Sequence, residues 1–196
     1  MIVGLTGGIG SGKTVVSKLF ELLGCKIYNS DDRAKELYFI PSVKSQVIAL
    51  LGAEVYTSDT EINKVIISQK IFSDTTLLHQ LNDIIHPAVK LDFKRFCEIN
   101  LNSIIIKETA LLFETGIYKE VDKSVLVAAP HDLKVERVMK RNHITQSEVE
   151  KRMLAQWSDE QKQPLSSFII NNDGSQALIP QAIAIVEELK LHFNKA

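Results

Sequence analysis

Ile2-Val3-Gly4-Leu5-Thr6 is a short apolar run, and Gly7-Gly8-Ile9-Gly10-Ser11-Gly12-Lys13-Thr14 follows it without a break. The second run carries Gly7, Gly12, Lys13 and Thr14 at the spacing G-x-x-x-x-G-K-[ST]. That combination leaves the chain few options: a strand, a tight glycine-rich turn and a helix, in that order. The glycines let the backbone curl with its N–H groups inward, where phosphate oxygens accept them. The helix beginning near Gly12 adds its positive end. In such a loop Lys13 reaches the β- and γ-phosphates, and the Thr14 hydroxyl holds Mg²⁺. Val16, Leu19, Phe20 and Leu23 recur at i, i+3, i+4 and i+7 and give the helix its apolar face. A glycine-rich turn without a ligand is the plainer reading. The strand before and the helix after favour a nucleoside triphosphate site.

A chain of 196 residues suits one α/β domain, with room for a mobile subdomain. Its net charge of −1 gives no general basic field for nucleic acid. Cys25 and Cys97 lack any metal-binding spacing. Buried free thiols in a reducing compartment fit them best, with a disulfide left open. No apolar run reaches membrane-spanning length, and the first strand takes up the N-terminus, so no signal peptide is expected. The expectation is a cytoplasmic protein that does not engage membranes.

Leu23-Gly24 reads as the C-cap of the first helix and Cys25 to Asn29 as a second strand. Ser30-Asp31-Asp32 then caps a helix from Arg33 to Phe39. Ligands of open α/β sheets sit beyond the carboxyl ends of strands. Asp31 and Asp32 are therefore candidates for chemistry near the phosphates, although plain N-capping accounts for them as well. Residues about 32 to 101 read as nearly all helical: Ser42 to Leu51, Asn63 to Phe72, Thr75 to Ile85 and Ala88 to Leu101. Thr57-Ser58-Asp59 is a turn, and His86-Pro87 is a junction between helices. This is too much for one crossover and predicts a helical insertion.

Ser103 to Lys107 is a buried parallel strand, ending in Lys107-Glu108 where an Asp is usual. Leu111-Leu112-Phe113-Glu114 is an apolar loop that walls a pocket or packs on the core. Ser124 to Ala128 is a strand, and the helix from Asp132 to Arg141 sets Arg137 and Arg141 on one face. Thr145 through Glu148 is a capping box opening a helix that carries Arg152. Arginines on two helices joined by a short loop suit a lid over phosphates; a solvated face is the ordinary alternative. Phe168 to Ile170 is the last strand. The turn Asn171-Asn172-Asp173-Gly174 either touches adenine or is a turn only. A terminal helix starts near Ser175 or Pro180.

Taken together, these residues resemble the dephospho-CoA kinase family almost end to end. The resemblance rests on Leu5 through Lys13, on Leu81-Asn82-Asp83-Ile84-Ile85-His86-Pro87 and on Leu111-Leu112-Phe113-Glu114. Arg137, Arg141 and Ile170 through Gly174 add to it. Members usually carry Asp-Ala-Asp after the second strand. Here Asn29-Ser30-Asp31 stands there, which puts the catalytic role on Asp31. Thr14 replaces the commoner Ser, and Ala110 stands where proline is frequent.

The resemblance implies an α/β P-loop NTPase fold, with a five-stranded parallel sheet flanked by helices and the P-loop strand central. The core would comprise about 1–31, 102–130 and 165–196, with a helical acceptor-side insertion at about 32–101 and a lid at about 131–164. The implied reaction moves the γ-phosphoryl of ATP, with Mg²⁺, to the 3′-hydroxyl of dephospho-CoA. Lys13, Asp31 and Arg141 would be catalytic. ATP would be held by Gly8, Ile9, Gly10, Ser11, Gly12, Lys13, Thr14, Val15, Arg137, Arg141 and Asn172, and the metal by Thr14. Asp31, His86, Leu112, Phe113 and Glu114 would hold the acceptor. A monomer or weak homo-oligomer is expected. The nearest rival is another P-loop kinase acting on a nucleotide or metabolite. A regulatory GTPase is disfavoured, because Asn63-Lys64-Val65-Ile66 breaks the N-K-x-D signature at the acid.

Overall fold

The computed structural model describes residues 1–193. Two compact units divide the chain: Met1–Asn29 with the residues from Asn100 onward, and Ser30–Ile99.

The first unit is built on β1 (Ile2–Thr6), β2 (Lys26–Asn29), β5 (Ile105–Glu108), β6 (Lys123–Ala128) and β7 (Phe168–Asn171). They form one parallel sheet in the order β2-β5-β1-β6-β7, with the strand that leads into the glycine-rich loop at its centre. A parallel sheet covered on its faces needs strands apolar throughout, and β1 and β6 supply them: Val3, Leu5, Val125 and Val127 are all fully buried. Val16 and Phe20 of α1 (Lys13–Leu22) join this core, as do Ala182, Val186 and Leu189 of α9 (Leu178–Phe193). Pro180 is the third residue of α9, inside the first turn, where its missing N–H costs nothing. Helix α1 closes as expected, with Leu23 N–H bonded to Leu19 O and Gly24 N–H to Glu21 O. Cys25, buried, and Cys97, half-buried, are not joined in a disulfide.

A small satellite core joins α6 (His131–Asn142) to α7 (Gln146–Met153) through Val135, Val138 and Val149, and Ile9 of the glycine-rich loop packs against it. The predicted capping box is present: the Thr145 hydroxyl accepts from Glu148 N–H while the Glu148 carboxylate takes Thr145 N–H. The Thr145 hydroxyl and N–H hold the Glu148 carboxyl below the usual carboxylate range. A second such box, Ser158 with Gln161, opens the single turn α8 (Asp159–Lys162).

The second unit contains α2 (Ser30–Leu37), α3 (Pro41–Leu51), α4 (Lys64–Ser73) and α5 (Thr75–Ile99) around Val43, Val47, Leu51, Val55, Ile67, Leu81 and Ile85. Three sequence expectations change here. His86-Pro87 is not a junction, because α5 runs through Pro87 unbroken. Leu81 and Ile85 before the proline and Phe93 after it are all buried. That stripe sustains the helix against a proline cost of about 3 kcal/mol. Asp31 and Asp32 lie inside the first turn of α2 and not before it. The turn at Thr57-Ser58-Asp59 belongs to a hairpin of β3 (Tyr56–Ser58) with β4 (Glu61–Ile62), whose strands are too short to show an alternation.

Candidate active site

Loop 7–14 is fitted tightly to its neighbours. Gly12 has φ +98° and caps α1, and a Cβ there would strike the Asn172 side-chain nitrogen. Gly10 has φ +81°, and a Cβ there would strike the Lys134 carbonyl. Both the left-handed backbone and the close approach demand glycine. Lys13 Nζ donates to Gly7 O at 2.7 Å and Gly8 O at 3.4 Å, so it folds over the loop carbonyls. Thr14 and Val15 are exposed on the first turn of α1. Gly8 and Ser11 are buried.

Asn172 and Arg137 brace the loop from outside. Asn172 N–H donates to Ala128 O at 2.8 Å and Nδ2 to Ser11 O at 2.7 Å. Arg137 Nη2 donates to Asn172 O at 3.2 Å, and Nη1 to Gly10 O at 3.5 Å. Arg141, one turn on, is exposed with Nε bonded to Asn142 Oδ1 at 2.9 Å. The two arginines share a helix face yet make different contacts. Arg152 is exposed on α7.

Six contacts had no signal in the sequence. Lys134 Nζ meets Asp159 Oδ2 at 2.9 Å, and Ala129 N–H reaches the same oxygen at 3.1 Å. Lys162, fully buried, meets Glu114 Oε1 at 2.9 Å and Ala110 O at 3.2 Å. Trp157 N–H also donates to Glu114 Oε1 at 2.9 Å, and the residue before it, Gln156, accepts Ile9 N–H at 2.9 Å. Each joins residues 25 to 147 positions apart, beyond any local pattern, although the Ser158-x-x-Gln161 box was there to be read.

The side chains of Leu112 and Phe113 are buried, Leu112 beneath Gly4 and Phe113 beside Tyr118. A cavity of about 530 Å³ opens beside Gly8, lined by Pro130, His131, Lys134, Met153 and Trp157 among others. Such a volume suits a small organic ligand. Glu160 stands on its wall, and the Ser158 hydroxyl holds that carboxyl below the usual range.

In the second unit, Asp31 is exposed as the second residue of α2, which follows directly on Asn29 of β2. Asp32 pairs with Lys35 at 2.7 Å. Arg33 forms a two-pronged bridge to Asp92 on α5, at 2.9 and 2.6 Å. His86 is exposed on α5.

This arrangement can hold a polyphosphate on backbone amides and a lysine, with a ligand-sized cavity alongside. The family model described as dephospho-CoA kinase matches residues 1–177. A dephospho-CoA kinase of Bacteroides fragilis is 38% identical over 194 residues, covering 97% of this chain and 95% of its own length. Among solved structures, TT1252 from Thermus thermophilus superposes with a TM-score of 0.86 at 28% identity, covering 96% of this chain and 97% of that one. Dephospho-CoA kinase from Campylobacter jejuni superposes at 0.65 with 19% identity and 96% of both chains covered, a likeness of fold.

Proposed function

The chain belongs to the dephospho-CoA kinase family, and from that premise we propose how its own residues perform the ATP-dependent phosphorylation of dephospho-CoA to coenzyme A. The observation that carries the reading is loop 7–14. It is a glycine cradle at the end of the central strand, braced by Asn172 and Arg137, with Lys13 folded over it.

Phosphoryl transfer is mostly positioning and charge stabilisation. The amides from Gly8 to Val15 bind the phosphates of ATP, and Lys13 exchanges its loop carbonyls for β- and γ-oxygens. The exposed Thr14 hydroxyl fits Mg²⁺, which takes one or two protein ligands and completes its shell with phosphate and water. Held by Thr14, the ion would supply positive charge against the phosphates.

Asp31 orients the 3′-hydroxyl of the acceptor and takes its proton. Its place two residues beyond β2 supports this, being the carboxyl end of a strand in a parallel sheet. Arg137 keeps the loop in shape, and Arg141 covers the charge developing on the transferred group when the lid closes. His86 and Glu114 contribute to the acceptor site, the buried Leu112 and Phe113 doing so through the backbone they anchor. We assign acceptor binding to the helical stretch of about 32–101 and the lid to about 131–164. We place the enzyme in the cytoplasm; no helix among the described residues is long and apolar enough to cross a membrane.

The test is a coupled ADP-release assay with Mg-ATP, run with and without dephospho-CoA, with mass spectrometry of the product. Acceptor-dependent ADP release and a product identical to coenzyme A are expected. Slow turnover indifferent to dephospho-CoA overturns the acceptor assignment.

A further inference from the structure

Lysine is seldom buried, and a buried ammonium is costly unless it is paired. Lys134 of α6 is 6% exposed, and its Nζ meets Asp159 Oδ2 at 2.9 Å. Apolar side chains in the same space would stabilise the fold as well or better, so the pair calls for another explanation. What it touches supplies one. The same lysine meets loop 7–14 twice. Its carbonyl and Cα stand so close to Gly10 that a Cβ there would strike them. Its Nζ and Cδ stand beside Gly8, 3.5 and 3.6 Å from where a Cβ would be, with Asp159 Oδ1 at 3.7 Å. Asp159 Oδ2 also takes the N–H of Ala129, just past β6, at 3.1 Å. Oδ1 is buried with no partner among the described residues. Strand β6 lies beside β1, which leads into the loop. One ion pair thus joins the carboxyl ends of two neighbouring strands to α6 and α8, at the end of the sheet where open α/β folds bind ligands.

We propose that Lys134 is a positioning residue for the phosphate loop: paired with Asp159, it pins Gly8 to Gly10 in the place from which loop 7–14 receives a triphosphate, without touching the ligand itself. The inference rests on that loop being the phosphate site. At Gly10 the restraint is helix backbone. At Gly8 it is a flexible side chain, and the Asp159 carboxylate is what stiffens it. The Gly8 carbonyl in turn accepts Lys13 Nζ at 3.4 Å and Ser11 N–H at 3.1 Å. A shift of Gly8 therefore carries to Lys13. A displacement of about 1 Å costs on the order of 100-fold in rate, and here the cost falls on the handling of ATP and not on that of the acceptor.

The test compares wild type with Asp159→Asn and with the double variant Lys134→Met/Asp159→Asn, in which the asparagine still accepts Ala129 N–H. Removing both charges strands neither, so the double variant should melt near wild type. Each protein is titrated with a non-hydrolysable ATP analogue and Mg²⁺ by calorimetry, and steady-state kinetics are taken in both substrates. The double variant should bind the analogue about 10-fold more weakly and lose about 10- to 100-fold in kcat/KM for ATP, with KM for dephospho-CoA within about 2-fold of wild type. Asp159→Asn keeps the lysine and trades a charged acceptor for a neutral one, so it should show about 2- to 5-fold of the same loss. A double variant with wild-type ATP binding and kinetics, whatever its melting temperature, overturns the positioning role. So does an equal loss for both substrates, which a general loosening of the fold would give. If the double variant does not fold, Asp159→Asn decides alone by the same criteria. Wild type that fails to bind the analogue overturns the phosphate-site reading, whereas variants that match a binding wild type overturn only the role of Lys134.

Discussion

Lys162 and Glu114 offer a sharp test of what holds the site's apolar loop. Lys162 is completely buried, and the Glu114 side chain is 12% exposed. Glu114 Oε1 takes both Lys162 Nζ and Trp157 N–H, while Oε2 is buried with no partner among the described residues. The carboxylate thus depends on one ammonium. Lys162→Met strands it, and removing one member of a buried pair costs about 3–5 kcal/mol. For a protein of this length that lowers the melting temperature by about 6–20 °C, at about 2–4 °C per kcal/mol. Glu114→Gln leaves the buried Lys162 ammonium without a counter-charge, held only by the amide oxygen and by Ala110 O at 3.2 Å, and should cost about 3 kcal/mol. The double variant removes both charges while Gln still accepts Trp157 N–H. It should lie within about 2 kcal/mol of wild type, because exchanging a whole buried pair for neutral groups is close to neutral. Urea denaturation followed by Trp157 fluorescence gives all four stabilities. A Lys162→Met cost under about 1 kcal/mol, or single effects that simply add, would refute the reasoning.

Lys13→Ala should melt close to wild type and lose about 100-fold or more in rate, the worth of a single transition-state contact; full activity in a steady-state assay would sink the triphosphate assignment. Asp31→Asn should lower kcat by about 10²- to 10⁴-fold with little change in KM for ATP, as loss of a proton acceptor does, and a KM effect alone would remove it from the chemistry. Burial pushes the Cys25 thiol up to about 11 against the opposing charge of Lys190. Its folded pKa exceeds the unfolded value of 9.0, so its share of stability is whole below pH 9 and fades as pH rises from about 9 to 11. Cys25→Ala should flatten denaturation midpoints across that window, and in native protein at pH 8 a thiol reagent should modify Cys97 before Cys25.

Much of the fold was written in local pattern. The strand, loop and helix of residues 2–22, the capping box at Thr145 and the apolar runs of β5, β6 and β7 each follow from spacing, and the structure has them. What escaped was settled by tertiary packing. Pro87 stays helical because Leu81, Ile85 and Phe93 need one continuous stripe. The β3–β4 hairpin is too short for an alternation to register. At the site, Lys13, Asn172 and Arg137 were legible by type and place, though not the way Asn172 grips Ser11 O. Lys134, Gln156 and Lys162 were illegible: no local spacing marks any of them, and only the folded chain brings its partner near.

The strand order sets a timetable for synthesis. β1 and β2 are made first, but they do not pair with each other; β5 lies between them. Neither can acquire its ladder until residues 105–108 have left the ribosome, and β1 gains its other flank only with residues 123–126. Helices α2 to α5 close locally in the meantime, while two strands, β1 apolar throughout, wait unpaired as templates for aggregation. The clamp of Asn172 on Ser11 waits longer still, for the residue just past β7. Loop 7–14 thus leaves the ribosome ahead of both strands that pair with β1 and gains its brace only when residue 172 follows. A stalled or truncated chain ending before residue 168 would carry the whole motif and lack the bond that sets it.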